Sequence, residues 1–166
     1  MEPVDVHASV RYLDVVFDKM TLTDKVGHAY SLGKERVEDV MEMVRISGGW
    51  TDEEFEAKPR MYTNINSTSP LKHDVPMIDG CLRCVRRGQA VVVTPFTLAG
   101  AMAPVTMSGA VSLSIAEALS AIALFQYVRP GAPCVMGTFT SDVDMKSGAR
   151  HLAPLNMRAT QMTGQM

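Results

Sequence analysis

Residues 90 to 110 read AVVVTPFTLAGAMAPVTMSGA. The first four are small or β-branched and apolar, as a buried strand requires; the next seventeen are little but Ala, Gly, Thr, Met and Pro. That second part has neither helical nor strand periodicity, and its side chains are too small to fill a core. It also carries no charge, unlike a solvated linker or a disordered tract. It reads as an ordered loop, at the end of the strand AVVV, that lines something.

Working outward, a helix is predicted from about Ser112 to Val128, stopped by Arg129-Pro130-Gly131, and PCVMGT at 133–138 gives another strand. On the other side, Asp74 caps a helix to about Arg87, with Pro76 in its first turn and Gly88 past its end. MYTNIN at 61–66 is a strand followed by the turn-forming STSP. Thr51 with Glu54 three residues on is a capping box that opens a short helix, closed by Pro59. Lys34–Ile46 is helical, with Val37, Val40, Met41 and Val44 on one face, and KVGHAYS at 25–31 is a strand. A helix from Pro3 would put Val6, Val10, Leu13, Phe17 and Met20 on one stripe, and a last helix is expected over 154–166.

The order is a helix and then four rounds of strand and helix, which argues for an α/β fold with a parallel sheet and helical crossovers in a single domain, 1–166. A doubly wound sheet and a (β/α) barrel both fit. No G-x-G-x-x-G or Walker glycine pattern follows any strand, which weighs against the first. A closed barrel takes eight units and about 250 residues. The expectation is therefore a partial (β/α)8 TIM barrel of about four consecutive parallel βα units preceded by a helix.

Composition excludes several classes. With 46% apolar and 20% charged residues the chain is not disordered, and a net charge of −2 gives no footprint for nucleic acid. Cys81, Cys84 and Cys134 are too few and odd in number for a disulfide framework, and no secretory signal is recognised, so a reducing cytoplasm is the expectation. The CLRC spacing at 81–84 lacks a second pair or a His-x-x-x-His, so it reads as two helix cysteines and no metal is expected. The apolar stretch near 110–128 carries Glu117 and Gln126 and is read as too short for a membrane span. A helix this apolar nearly all round predicts self-association.

SLGKERVEDVMEM at 31–43, TNINSTSPL at 63–71, TPFTLAGAMAPVTMSGA at 94–110, AEALSAIALFQYVRPGAPCVMGTFTSDVDMKSGA at 116–149 and MRATQMTGQM at 157–166 together resemble the trimethylamine methyltransferase family. The resemblance runs along essentially the whole chain, and family members extend well beyond it on both sides, so it looks like an internal segment. It implies a (β/α) barrel that moves a methyl group from trimethylamine or a related tertiary or quaternary amine to the Co(I) of a corrinoid carried on a cognate partner protein. One departure is Leu155, which follows Pro154 where the family has Glu.

That chemistry needs water excluded, the cationic amine held in line, and a large planar macrocycle admitted. Small side chains suit the last task, so Leu98, Ala99, Gly100, Ala101 and Met102 are the expected cofactor-facing loop, or else merely a loop packed over the barrel rim. Asn64, Asn66, Thr94, Phe96, Thr97, Thr138 and Phe139, near strand ends, are candidate substrate contacts, with Tyr30 and Tyr62 as further aromatic surfaces for an ammonium group. Asp142 and Asp144 could pair with a cationic amine or hold a turn, and His28 could protonate a leaving tertiary amine or be simply hydrogen-bonded structure. Glu117 reads as a buried partner of a neighbouring unit. Two other readings compete: a catalytically inactive barrel fragment that acts as a structural or self-associating module, and an unrelated small barrel enzyme using phosphate or Schiff-base chemistry. The last lacks a glycine-rich phosphate loop and a lysine in an apolar strand centre.

Overall fold

The computed structural model describes residues 5–30, 33–144, 146–147 and 150–151. In chain order these form α1 (Arg11–Leu22), β1 (Gly27–Tyr30), α2 (Lys34–Ser47), α3 (Asp52–Ala57), β2 (Met61–Ile65), α4 (Val75–Arg86), β3 (Ala90–Val93), β4 (Phe96–Ala99), α5 (Met107–Val128), β5 (Cys134–Met136), β6 (Phe139–Val143) and β7 (Arg150–His151). Local signals explain several boundaries. Thr51 and Glu54 form the reciprocal capping box at α3, and Pro76 sits in the first turn of α4.

β1, β2, β3 and β5 make one sheet in that order, with every pairing parallel. Alternation along the strands sorts their side chains onto two faces. Ala29, Met61, Ile65, Val91 and Val93 share one buried cluster with Val40 and Met41 of α2, Cys84 and Val85 of α4, and Ala118 and Phe125 of α5. The crossover helices therefore cover the same face, and the sheet is wound in one direction, as an α/β fold with four parallel strands. On the other face lie His28, Tyr30, Tyr62, Asn64, Val92 and Val135, half-buried or exposed. One free edge is tended locally: Lys19 Nζ donates to the carbonyl of His28 at 3.0 Å.

The stretch after β3 departs from the expected loop. The chain bends at Thr94-Pro95 and resumes as β4, while β5 bends at Gly137-Thr138 and resumes as β6, again parallel to β4. Gly137 N donates to Val93 O at 2.8 Å and Phe139 N to Pro95 O at 3.0 Å, so the ladder is carried through the bend. A Cβ on Gly137 would stand 2.7 Å from Thr94 Cγ2, which is why a glycine occupies the crossing. Residues 96–99 are thus strand and helix α5 starts at Met107, five residues before the expected Ser112, leaving 100–106 as the loop. The loop closes tightly: Leu98 O accepts from the N–H groups of Ala101, Met102 and Ala103. Pro104 packs so near α5 that a Cβ on Gly109 would lie 2.7 Å from its Cβ. Packing against Pro104 therefore requires a small residue at Gly109.

Three further expectations change. Residues 5–10 are not helical, and α1 turns Val16 inward with Tyr12 and Met20 packed beside it; Phe17 and Val10 of the expected stripe are exposed. β5 is followed by two strands where no element was expected, β6, parallel to β4, and β7, antiparallel to β6. α5 runs 22 residues and is long and apolar enough by composition to cross a membrane. Its stripe of Ala110, Ser114, Ala118, Ala121 and Phe125 is instead buried in this fold. The helix expected over 154–166, and Leu155 with it, lies outside the described residues.

Candidate functional site

The uncovered sheet face carries the first group of candidates. His28 and Tyr62 sit side by side in the β1/β2 register, as do Tyr30 and Asn64 one step further along. His28 Nε2 lies 2.6 Å from Asn64 Oδ1, so the proton sits on Nε2 and the amide oxygen fixes the ring. The imidazole also meets Tyr30 edge-on and Tyr62 at a tilt, each with ring centroids 4.9 Å apart. Strand β1 continues to Tyr30, so His28 stands within the strand. The cluster joins one proton-bearing ring to two phenol rings on a face that no described element covers.

The second group lies at the carboxyl ends of the strands. Asn66, the first residue beyond β2, accepts through Oδ1 from Thr94 Oγ1 at 2.7 Å; Thr94 follows β3. Phe96 and Phe139, paired in the β4/β6 register, stack with centroids 5.0 Å apart and planes 11° from parallel. Thr138 Oγ1 is 2.9 Å from Ser114 Oγ, which ties the bend to α5. Thr97 and Ala99, expected to be open to a ligand, are instead buried, because residues 96–99 form a strand whose alternate side chains point inward. Leu98 is half-buried, Ala101 exposed and Met102 half-buried around the tight turn at Gly100.

Asp144 accepts from Lys146 N at 2.9 Å and from Ser147 Oγ at 2.7 Å, the geometry of a side-chain-closed turn. Asp142 lies on β6 opposite Ala99 in register. The two cysteines of CLRC are buried, and burial pushes the Cys84 thiol up to about 12. Among the described residues no group of three His, Cys, Asp or Glu could hold a metal ion.

Some residues that shape the rim escaped the sequence reading. Ser67, Ser69 and Leu71, in the connection from β2 to α4, converge on Glu117 of α5. The available signal was the charge itself: Glu117 is the only charged residue in α5, and a carboxylate buried among apolar neighbours must have donors.

A parallel sheet wound in one direction, with its crossover helices on one face and polar and aromatic side chains on the other, places the chain in the α/β class. The profile of the trimethylamine methyltransferase (MTTB) family matches residues 1–166, and the chain belongs to that family. It is 35% identical over 148 residues to the glycine betaine methyltransferase of Desulfitobacterium hafniense (strain Y51), covering 89% of this chain and 31% of that protein. Against the trimethylamine methyltransferase MttB1 of Methanosarcina mazei it is 31% identical over 132 residues, 80% of this chain and 27% of the relative. Against the proline betaine:corrinoid methyltransferase of Eubacterium limosum it is 29% identical over 105 residues, 63% and 22%. The chain spans under a third of the length of each of these relatives.

Proposed function

We propose that this chain is part of a methyltransferase that takes a methyl group from trimethylamine or a trimethylammonium compound such as a betaine, with a corrinoid on a partner protein as acceptor, and that its sheet is one portion of a (β/α)8 barrel. The observation that carries this reading is the open sheet face with His28, Asn64, Tyr62 and Tyr30 in contact. Such a face, left bare by the helices, is the one a closed barrel turns inward.

The corrinoid, when docked, supplies the cobalt nucleophile that accepts the methyl group. The exposed Ala101 and the turn closed on Leu98 O keep the rim low near β4, which fits the approach of a flat macrocycle. The other roles belong to this chain's own residues. The ring faces of Tyr30 and Tyr62 attract the positive methyl groups of an ammonium. Asn64 orients His28 and keeps the proton on Nε2. A quaternary ammonium leaves as a neutral amine and needs no proton, whereas a tertiary amine leaves only when its nitrogen carries one, which His28 as the imidazolium can supply from Nδ1 while Nε2–H stays on Asn64. Asn66 and Thr94 offer hydrogen-bonding groups at the strand ends. Exposed Leu119, Leu124 and Tyr127 on α5 support self-association as part of the same proposal, checked by light scattering.

The direct test mixes a reduced corrinoid protein with glycine betaine or trimethylamine and either this chain or a longer one that includes the rest of the family's length. Methylcobalt absorbance is expected from the longer chain and is lost when Tyr62 is changed to Ala. No methylcobalt with either amine would sink the reading. A second reading, a non-catalytic folding module, is favoured by the bare sheet face, which leaves apolar Val92 and Val135 uncovered. A longer chain that stays active with both Tyr62 and His28 replaced by Ala would decide for it.

A further inference from the structure

Glu117 is the only charged side chain in the 22 residues of α5, and it is 1% exposed. A carboxylate so placed is tolerated only if donors meet its lone pairs. Ser67 Oγ donates to Oε2, Ser69 Oγ donates to the same oxygen at 2.7 Å, and Leu71 N donates to Oε1 at 2.7 Å. All three donors come from one place, the connection between β2 and α4. The backbone of Glu117 holds that connection too, since its carbonyl accepts from His73 Nε2 at 3.2 Å. A second strap therefore runs beside the first.

The connection needs such a hold. Leu71 has φ of 55°, left-handed backbone in a bulky residue that is 73% exposed, so its own side chain does nothing to keep it there. The segment begins at Asn66, whose Oδ1 accepts from Thr94 Oγ1 at 2.7 Å. Ser69 Oγ also lies 3.2 Å from the carbonyl of Phe96, at the start of β4. One buried carboxylate thus joins the connection after β2 to helix α5, and Ser69 in that connection lies against the start of β4.

A purely structural role explains less. An apolar side chain would fill the same volume without desolvating a charge. The donors, moreover, come from the β2–α4 connection, where Ser67 and Ser69 are buried and Leu71 holds left-handed backbone, and not from the strands of the core.

We propose that Glu117 is a positioning residue: it holds the β2–α4 connection in one conformation and so presents Asn66 and Thr94 together at the carboxyl rim, where they face the methylated amine. The last clause rests on the function proposed above; the first does not.

The test uses the whole 166-residue chain, with amide hydrogen exchange by NMR and titration with tetramethylammonium followed at the Asn66 side-chain amide. In Glu117→Ala the Leu71 amide should exchange about 100-fold faster while Val91 to Val93 keep their protection. Ser69→Ala, a smaller lesion, should speed Leu71 by about tenfold. Glu117→Gln should restore Leu71 to near wild type, because Oε1 still accepts the same N–H. Tetramethylammonium should bind about tenfold more weakly to Glu117→Ala than to wild type, with Glu117→Gln close to wild type.

Unchanged Leu71 exchange in Glu117→Ala and Ser69→Ala would overturn the proposal, as would equal tetramethylammonium binding by wild type and Glu117→Ala. Loss of β3 protection in both variants, or a glutamine no better than alanine, would overturn it in favour of a bulk structural role. Failure of both this chain and a longer one that includes the rest of the family's length to bind tetramethylammonium would defeat the proposed function instead, and the exchange pattern would still judge the positioning role.

Discussion

The two ends of the parallel strands use their polar side chains in opposite ways. At the amino end, Gln89 is fully buried; its Oε1 accepts from Arg60 N at 2.8 Å and Met61 N at 3.2 Å, and its Nε2 donates to Phe55 O at 2.9 Å and Arg87 O at 2.8 Å. Arg129 likewise donates to Arg86 O at 2.8 Å and Glu56 O at 3.3 Å. Every one of these partners is backbone. At the carboxyl end the partners are mostly side chains: Asn66 with Thr94, Thr138 with Ser114, and Ser67 and Ser69 with Glu117. A side chain bonded to backbone closes a chain end and cannot be spared, whereas a side chain bonded to another can be exchanged while the fold stands. The first end holds the sheet together, and the second, on the function proposed above, is where exposed side chains such as Asn66 would meet a ligand.

The sharpest way to break this contrast is Gln89→Ala. Two N–H and two C=O groups would lose their partner at the base of β2 and β3, at a cost of about 2–4 kcal/mol. A urea titration should show a lowered midpoint with an unchanged slope. A loss below about 1 kcal/mol would mean that water replaces the glutamine without penalty, and the amino end would no longer differ from the rim. Next in size is Gly137→Ala at the bend, where the new methyl group meets Thr94 Cγ2 at 2.7 Å. About 1–3 kcal/mol of destabilisation is expected from overpacking. Adding Thr94→Ser removes Cγ2 and should recover most of that loss; no recovery would place the strain elsewhere.

The amino end and the sheet were legible because local rules and burial agree there. Thr51 and Glu54 announce their cap, Pro76 its helix start, and AVVV its strand. The bend was illegible because Pro95 interrupts what is a continuing ladder, and a proline inside an apolar run argues against strand when read alone. Only the parallel neighbour, supplying Gly137 N to Val93 O and Phe139 N to Pro95 O, reveals the continuation. The rim was half legible. Strand-end asparagines and threonines could be picked out by position, but the pairing of Asn66 with Thr94 depends on register across 28 residues of chain. Likewise the buried Glu117 was readable as a partner, and its donors in the β2–α4 connection were not. α1 was misjudged because its inward face follows from docking on α2, and its sequence carries two competing apolar stripes.

A pH experiment probes the outer helices, which belong to neither end. Tyr12 of α1 donates to the Asp39 carboxylate of α2, and that hydrogen bond, with some burial and the carboxylate's charge, pushes the phenol up to about 12. The neutral phenol is thus favoured in the fold. Its contribution to stability is complete below the ordinary tyrosine value of 10.0 and is lost as pH rises from there to about 12. Urea midpoints measured across that window should fall more steeply for the wild-type chain than for Tyr12→Phe. Parallel curves would show that the α1–α2 contact adds nothing to the sheet's stability.

The smallest effect on stability, and the most informative, is expected at the rim. Asn66 is exposed, and its removal leaves Thr94 Oγ1 with a second acceptor already in place, the carbonyl of Ile65 at 3.3 Å. Asn66→Ala therefore orphans no buried group and should shift the urea midpoint by the equivalent of about 0.5 kcal/mol or less. The same change should weaken tetramethylammonium binding by about tenfold if the rim contacts the amine. Stability and binding would then separate at one residue, the reverse of Gln89→Ala, where binding can fall only because the fold does. An Asn66→Ala chain that melted as readily as Gln89→Ala would show that the rim's side-chain pairs hold the sheet as firmly as backbone pairs do, and the division between the two ends would fail.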